Sequence, residues 1–256
     1  MKKKKFKIKG FLVKKRFLEK SKLNYFERNL INFIYKFCMK KNKKISTKAK
    51  SILSLKGAKF RLAAIKLLEL IEKKDKDLFY KISKNCTDFF SIDQIDNNKK
   101  MQVILKNFFG PSFDSIQRRK PIMLFNKKNL DRLKYFWHQE SQFYPDHKIG
   151  LHVWFPILRD VKGKSDGGMV FAKNGYKKNY KFTQINLKNS WTQKVPKINV
   201  EKNFKSISPN VNRGDFVFFT GPQLHKSDDQ FNSIPRVSFV IRYLSNLKDI
   251  NYHPLP

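Results

Sequence analysis

Two histidines and one glutamate in this 256-residue chain have the types and spacing of metal ligands. His138 and Glu140 stand two positions apart, directly after an aromatic run, and His225 follows in a separate apolar stretch. Because residues i and i+2 of an extended strand face the same side, His138 and Glu140 are expected to converge. Two imidazoles and one carboxylate on one face of an iron form the facial triad of non-heme Fe(II) oxygenases. The three residues therefore predict an Fe(II) site with three further coordination positions.

Arg236 opens the strongest β-like segment of the chain, RVSFVIRY. An arginine among apolar residues is costly to bury without an anion. A 2-oxoglutarate cosubstrate would take two of the iron's positions, and its far carboxylate needs a fixed cation. We predict that Arg236 supplies it through a bidentate pair and that Ser238, which faces the same way, adds a hydrogen bond. The alternative is a structural salt bridge from Arg236 to Asp215 or Asp228.

Other interpretations exist for the polar residues near this motif. His138 alone could be a core histidine, and Glu140 alone could be a surface acid. His147 and His152 form an alternative ligand pair, but their spacing puts them on different faces of any strand, so they are predicted at a substrate mouth or on the surface. His253 is predicted to be solvated.

The elements that position these residues fall into two blocks. Before about residue 115, apolar residues recur every three or four positions and predict helices at 25–38, at 47–74 with a possible break at Gly57, and before Phe109. Gly110 and Pro111 suit the end of that third helix.

After residue 115, short apolar segments are separated by Gly, Pro, Asn, Asp and Lys clusters, as is typical of a β-sandwich or barrel. We predict an α+β fold with helices covering one side of the β-structure. The expected organisation is a basic flexible arm at 1–20, a helical region at 21–114 packing on the barrel, and a β core at 115–256. The segments 174–182 and 188–212 are expected to be loops or irregular strands.

The formal charge of +36 raises the possibility of a polyanionic partner. Residues 1–60 hold 21 Lys or Arg against 2 acids, so a weak polyanion contact is expected there, if anywhere. The bias of 46 lysines to 10 arginines argues for an AT-rich genome rather than for recognition of nucleic acid. The alternative function is a non-catalytic basic module that binds nucleic acid or anionic lipid.

Several classes of protein are excluded by missing motifs. The sequence has no GxSxG, HExxH or Walker loop, and its two cysteines have no zinc-like spacing. No apolar run approaches the roughly 20 residues of a membrane span. Lysines interrupt the start of the chain where a signal peptide would be apolar. A cytoplasmic location is therefore predicted.

An ordered set of motifs resembles the phytanoyl-CoA dioxygenase family of Fe(II)/2-oxoglutarate-dependent oxygenases. The motifs are WHQE (137–140), LHVWFPI (151–157), DGGMVF (166–171), RGDFVFFTGPQLHKS (213–227) and RVSFVIRY (236–243), and they span about half of the chain. The family usually has aspartate where this chain has Glu140. The PGSH-like turn of the family appears here as AKNGYKK, without its histidine.

The resemblance implies a double-stranded β-helix, or cupin-like jelly roll, with iron in its mouth and an N-terminal helical cover. It implies iron ligation by His138, Glu140 and His225, and binding of 2-oxoglutarate by Arg236. By the same resemblance, Trp154 packs on the cosubstrate. The implied activity is hydroxylation of an unidentified small molecule, with consumption of O2 and release of succinate and CO2. The overall positive charge, separately, suggests an anionic substrate.

Overall fold

Helices occupy the first part of the chain. The computed structural model describes residues 10–128, 135–147, 149–186, 192–228 and 233–246. The helices before the β region are α1 (Lys20–Cys38), α2 (Lys43–Leu53), α3 (Gly57–Lys74), α4 (Lys76–Cys86), α5 (Asp93–Asp96) and α6 (Lys99–Phe109). None of the helices in the described part of the chain combines the length and apolarity that crossing a membrane requires.

The structure refines the predicted helices at their ends. The helix expected at 47–74 is two helices, because the chain leaves helical geometry after Leu53 and starts α3 at Gly57 with a φ of 57°. Gly110 ends α6 with a φ of 54°, as its position before Pro111 predicted. Helix α4 was not predicted.

Antiparallel strands follow from residue 117. They are β2 (Gln117–Asn126), β3 (Ile149–Ile157), β4 (Val161–Lys162), β5 (Met169–Ala172), β6 (Phe182–Asn186), β7 (Thr192–Pro196), β8 (Ser206–Ile207), β9 (Asn210–Val211), β10 (Phe216–Thr220), β11 (His225–Ser227) and β12 (Arg236–Ser245), joined by β1 (Phe11–Lys14). One sheet has the order β1-β10-β3-β12-β2, and a second has the order β11-β5-β8. The region 188–212, expected to be loops or irregular strands, contains β7 to β9 and a short helix, α7 (Val200–Asn203), whereas 174–182 reaches only the first residue of β6.

The long sheet separates two apolar layers, because successive side chains of β12 point alternately to its two faces. Val237, Phe239 and Ile241 join the cluster that includes residues of the helices, whereas Val240 joins a cluster with Trp154. Residues i and i+2 share a face, so the same strand turns polar side chains toward the interior between the sheets. These inward residues are Arg236, Ser238 and Arg242. The fold is thus the predicted α+β jelly roll with a helical cover.

The N-terminal arm was predicted to be flexible to residue 20, and this is wrong for the described part. Phe11 to Lys14 pair in register with Phe219 to Phe216 at the edge of the long sheet. Buried Asp215 accepts hydrogen bonds from the Lys15 side chain at 2.9 Å and from the Arg16 backbone at 2.8 Å. Phe11 and Leu12 point to opposite faces and join different apolar clusters, so both faces of this strand contribute to the core. Residues 1–9 lie outside the described residues.

We expect Phe26→Ala in α1 to lower the free energy of unfolding by about 3–5 kcal/mol. Phe26 is fully buried and contacts the rings of Phe239, Phe90 and Phe155, at centroid distances of 5.4, 6.1 and 6.2 Å. Urea unfolding followed by circular dichroism measures the change. The control Leu62→Ala, at a side chain 55% exposed, should change it by less than about 0.5 kcal/mol. Equal effects of both substitutions would contradict the packing described above.

Candidate metal centre

Two segments distant in sequence are joined at His138 and His225. The two residues exchange backbone hydrogen bonds, His138 N to His225 O at 3.0 Å and His225 N to His138 O at 3.1 Å. Their rings lie 4.2 Å apart between centroids. The backbone pairing therefore fixes the distance between the two imidazoles.

A backbone carbonyl orients each of the two rings. The Nδ1 atom of His138 lies 2.6 Å from the Phe136 carbonyl oxygen, and Nδ1 of His225 lies 2.9 Å from that of Gln223. Because a carbonyl only accepts hydrogen bonds, each Nδ1 carries a proton, which leaves Nε2 as the nitrogen of each ring that can bind a metal. Burial is the main cause that holds the pKa of His225 well below its ordinary value. Its ring is thus neutral, as metal ligation requires.

Glu140 brings the third donor to the same point. Its Oε1 atom lies 3.8 Å from Nε2 of His138 and 3.8 Å from Nε2 of His225. One ligand atom from each residue falls within 4.8 Å of the other two. The three donors surround a position at which each could bind one cation, and the additional methylene of glutamate does not prevent their convergence.

The local backbone differs from the predicted strand. His138 forms an isolated bridge, Gln139 is extended with φ −120° and ψ 131°, and Glu140 starts a short 3₁₀ helix, Glu140–Gln142. One extended residue is enough to put its two neighbours on the same side. The convergence was predicted correctly, but the continuous strand was wrong.

Glu140 is buried, so the interpretation as a surface acid is wrong. Arg242 donates from Nε to Glu140 Oε2 at 3.0 Å, which leaves Oε1 facing the two imidazoles. Burial alone would raise the pKa of this carboxyl. The Arg242 guanidinium outweighs burial and holds the pKa of Glu140 well below its ordinary value. Glu140 is therefore an anion inside the barrel.

His152 is buried beside the site, contrary to its predicted position at the mouth or surface. Its Nδ1 lies 4.0 Å from Glu140 Oε2, and its ring stacks on Phe219 at 5.4 Å. Burial lowers the pKa of His152 to about 4, against the attraction of Glu140. His147, by contrast, is half-buried and contacts Gln117 at 3.2 Å. His253 lies outside the described residues.

Gln139, between the two ligands, was missed by the sequence analysis. Its fully buried amide nitrogen donates to the carbonyl oxygens of Lys178 and Pro222, and its amide oxygen accepts from Tyr180 N at 2.8 Å. One side chain thus ties the ligand segment to the 178–180 loop and to the turn before His225. The family-like WHQE motif was the available signal, but sequence alone does not reveal the partners of the amide.

The predicted cosubstrate residues lie together on the interior face of the long sheet. Arg236 is fully buried, donates to Ser227 Oγ at 3.3 Å, and has its guanidinium 5.6 Å from the Trp154 ring centroid. Trp154 Nε1 and Ser238 Oγ are buried and have no hydrogen-bond partner among the described residues.

The two acids considered as structural partners of Arg236 have other contacts. Asp215 binds Lys15 at 2.9 Å, and Asp228 lies 3.8 Å from Lys164.

A cavity of about 290 Å³ adjoins the three converging donors. Two of the donor residues form part of its wall. The lining residues are Ile122, Tyr135, His138, Glu140, Phe143, Tyr144 and Arg242. A small molecule in this cavity would therefore lie against the metal position.

Solved structures share this fold at very low sequence identity. EctD from S. alaskensis in its apoform aligns with a TM-score of 0.57 and 8% identity, over 99% of this chain and 82% of that chain. EctD with 2-oxoglutarate and 5-hydroxyectoine gives 0.56 and 9%, over 95% and 74%. AviO1 from Streptomyces viridochromogenes Tue57 gives 0.50 and 11%, over 100% and 96%. These similarities confirm the jelly-roll fold.

The sequence itself gives no such match. No protein-family model matches the chain, and neither does any curated protein. The resemblance to the phytanoyl-CoA dioxygenase family in particular stays a prediction.

We expect Arg242→Met to lower the free energy of unfolding of the metal-free protein by about 3–5 kcal/mol, because it leaves the Glu140 carboxylate buried without its cation. Urea unfolding at neutral pH measures the loss. In a Glu140→Gln background the same substitution should cost much less, since no buried charge remains. Equal losses in the two backgrounds would show that the pair is not coupled.

Proposed function

We propose that this protein is an Fe(II)- and 2-oxoglutarate-dependent dioxygenase that hydroxylates a small molecule and releases succinate and CO2. The observation that carries the proposal is the convergence of His138 Nε2, Glu140 Oε1 and His225 Nε2, all within 4.8 Å of one another, in a buried site. Two neutral imidazoles and a carboxylate are the donor set that non-heme Fe(II) oxygenases use. EctD, which shares the fold, has been solved with bound Fe and with 2-oxoglutarate.

The donor residues would bind Fe(II) with little rearrangement. Carbonyl oxygens already orient both imidazoles, and Arg242 already holds the second oxygen of Glu140. Outer contacts of this kind set ligand orientation and basicity in metal sites. When bound, Fe(II) together with 2-oxoglutarate supplies the activation of O2.

Arg236, Ser238 and Trp154 would bind the far end of 2-oxoglutarate. Arg236 offers a buried cation, and Ser238 Oγ and Trp154 Nε1 offer donors on the same interior face. Ser227, two residues after the ligand His225, contacts Arg236, so this group lies next to the metal position along β11. Phe171, Phe219 and Val240 surround the interior and exclude water from it.

The partners of the proposed reaction are O2 and a small-molecule substrate, and the cytoplasm is its proposed location. The buried thiols of Cys38 and Cys86 agree with a reducing compartment. A polyanion contact of the N-terminal region remains a prediction, because residues 1–9 lie outside the described residues.

The metal site is tested by anaerobic titration of the protein with Fe(II) and 2-oxoglutarate. We expect a visible charge-transfer band, and His225→Ala should weaken Fe(II) binding by more than about 100-fold and remove the band, because one ligand is lost. His147→Ala, at a histidine outside the donor set, should keep the band. A wild-type protein that shows no band but binds DNA in a salt-sensitive manner would support the basic binding module instead.

Arg236→Met should raise the Kd of 2-oxoglutarate by about 10–100-fold, because hydrogen bonds to a carboxylate from a buried cation are lost. The same titration at fixed Fe(II) measures it. The control Arg118→Met, at an arginine partly exposed on β2, should leave the Kd unchanged. An unchanged Kd for Arg236→Met would remove Arg236 from the cosubstrate site.

A further inference from the structure

We infer that the cavity beside the triad is a subsite for the carboxylate of a small organic acid, and that Arg242 is the cation that recognises it. The inference deepens the proposed function and rests on it, because it names the chemical class of the substrate that would lie beside the metal.

Arg242 has donor capacity that its known partner does not use. The residue is 9% exposed, and its Nε donates to Glu140 Oε2 at 3.0 Å. Its Nη1 is buried and has no hydrogen-bond partner within the described residues. A buried guanidinium N–H left without an acceptor is costly, and a ligand oxygen would satisfy it.

The cavity gives that ligand a defined position. Arg242 lines it together with His138 and Glu140, so a ligand group held by the Arg242 guanidinium lies next to the metal donors. Other walls are the aromatic rings of Phe143 and Tyr144, and the Arg242 guanidinium lies 6.0 Å from the centroid of the latter. An apolar or aromatic body ending in a carboxylate fits such a lining.

The two interior arginines divide the anions between them. Arg236 and Arg242 share the inner face of β12 at opposite ends of RVSFVIR, about 20 Å apart along the strand. Arg236 contacts Ser227 and Trp154, whereas Arg242 contacts Glu140. We therefore assign Arg236 to the cosubstrate and Arg242 to the substrate.

The charge balance of the site favours an anion. Arg242 and Glu140 neutralise each other. A divalent metal on the triad adds positive charge beside the cavity, which a substrate carboxylate would offset.

The experiment compares phenylacetate with its neutral isostere phenylacetamide, by calorimetry on protein loaded with Zn(II) and 2-oxoglutarate. We expect the wild type to bind phenylacetate at least about tenfold more tightly, because only the anion forms a charge-assisted pair with Arg242. Arg242→Gln, which keeps a donor for Glu140, should lose that preference. Arg119→Gln should retain it, since exposed Arg119 lies opposite Arg242 on β2 but outside the cavity lining.

Three results would overturn the inference. The first is equal binding of the two compounds by the wild type. The second is a preference for phenylacetate retained in Arg242→Gln, which would indicate that the carboxylate binds the metal directly. The third is competition between phenylacetate and 2-oxoglutarate, which would make Arg242 part of the cosubstrate site. The first and third use only the wild type and stand even if the variant does not fold. Absence of the charge-transfer band in the wild-type titration with Fe(II) would refute the proposed function separately. The calorimetry uses Zn(II) and does not depend on that band, so the two failures can be distinguished.

Discussion

A carboxylate buried at the end of a β-barrel is stable only if cations or donors surround it, and Glu140 meets this constraint through Arg242. The salt bridge occupies one oxygen and leaves the other facing two imidazoles. The orientation of the metal-binding oxygen is therefore set by a residue of β12 rather than by the ligand segment itself. Every role proposed for the site depends on this orientation.

The scaffold keeps the site rigid by distributing it over several elements. The mutual backbone hydrogen bonds of His138 and His225 hold these two ligands together. Gln139, between His138 and Glu140, binds the ligand segment to two loops. On the other side of the long sheet, Phe155 stacks on Phe216 and Phe239 at 4.3 and 5.2 Å, against the helices. Polar chemistry and apolar cover thus occupy opposite faces of the same strands.

The sequence predicted the architecture well because period-two apolar segments and turn residues define strands strongly. It also selected three residues that do converge, since a histidine and an acid two positions apart need only one extended residue between them. The break considered at Gly57 within the helix at 47–74 is present, but the apolar periodicity continues across it and did not show that the first helix already ends at Leu53.

Arg242 was missed, and His152 was predicted at the mouth or surface instead of beside Glu140, for a different reason. Both lie on strands whose apolar neighbours predict burial, but only the register of β12 against β3 places them opposite each other and beside Glu140. Register between strands distant in sequence is set by tertiary packing. Gln139 illustrates the same limit, since its hydrogen-bond partners are backbone atoms that no side-chain pattern identifies.

The edge strand β1 can pair only late in folding, because its partner strand β10 lies far along the chain. Phe11 pairs with Phe219, and Asp215 binds the backbone of a residue 199 positions earlier. During synthesis, β1 must therefore wait for the much later strand β10 before it has a partner. Such nonlocal closure is slow and exposes unpaired strand edges meanwhile. The lysines around Phe11 and Val13 keep that waiting segment hydrated and repel other nascent chains.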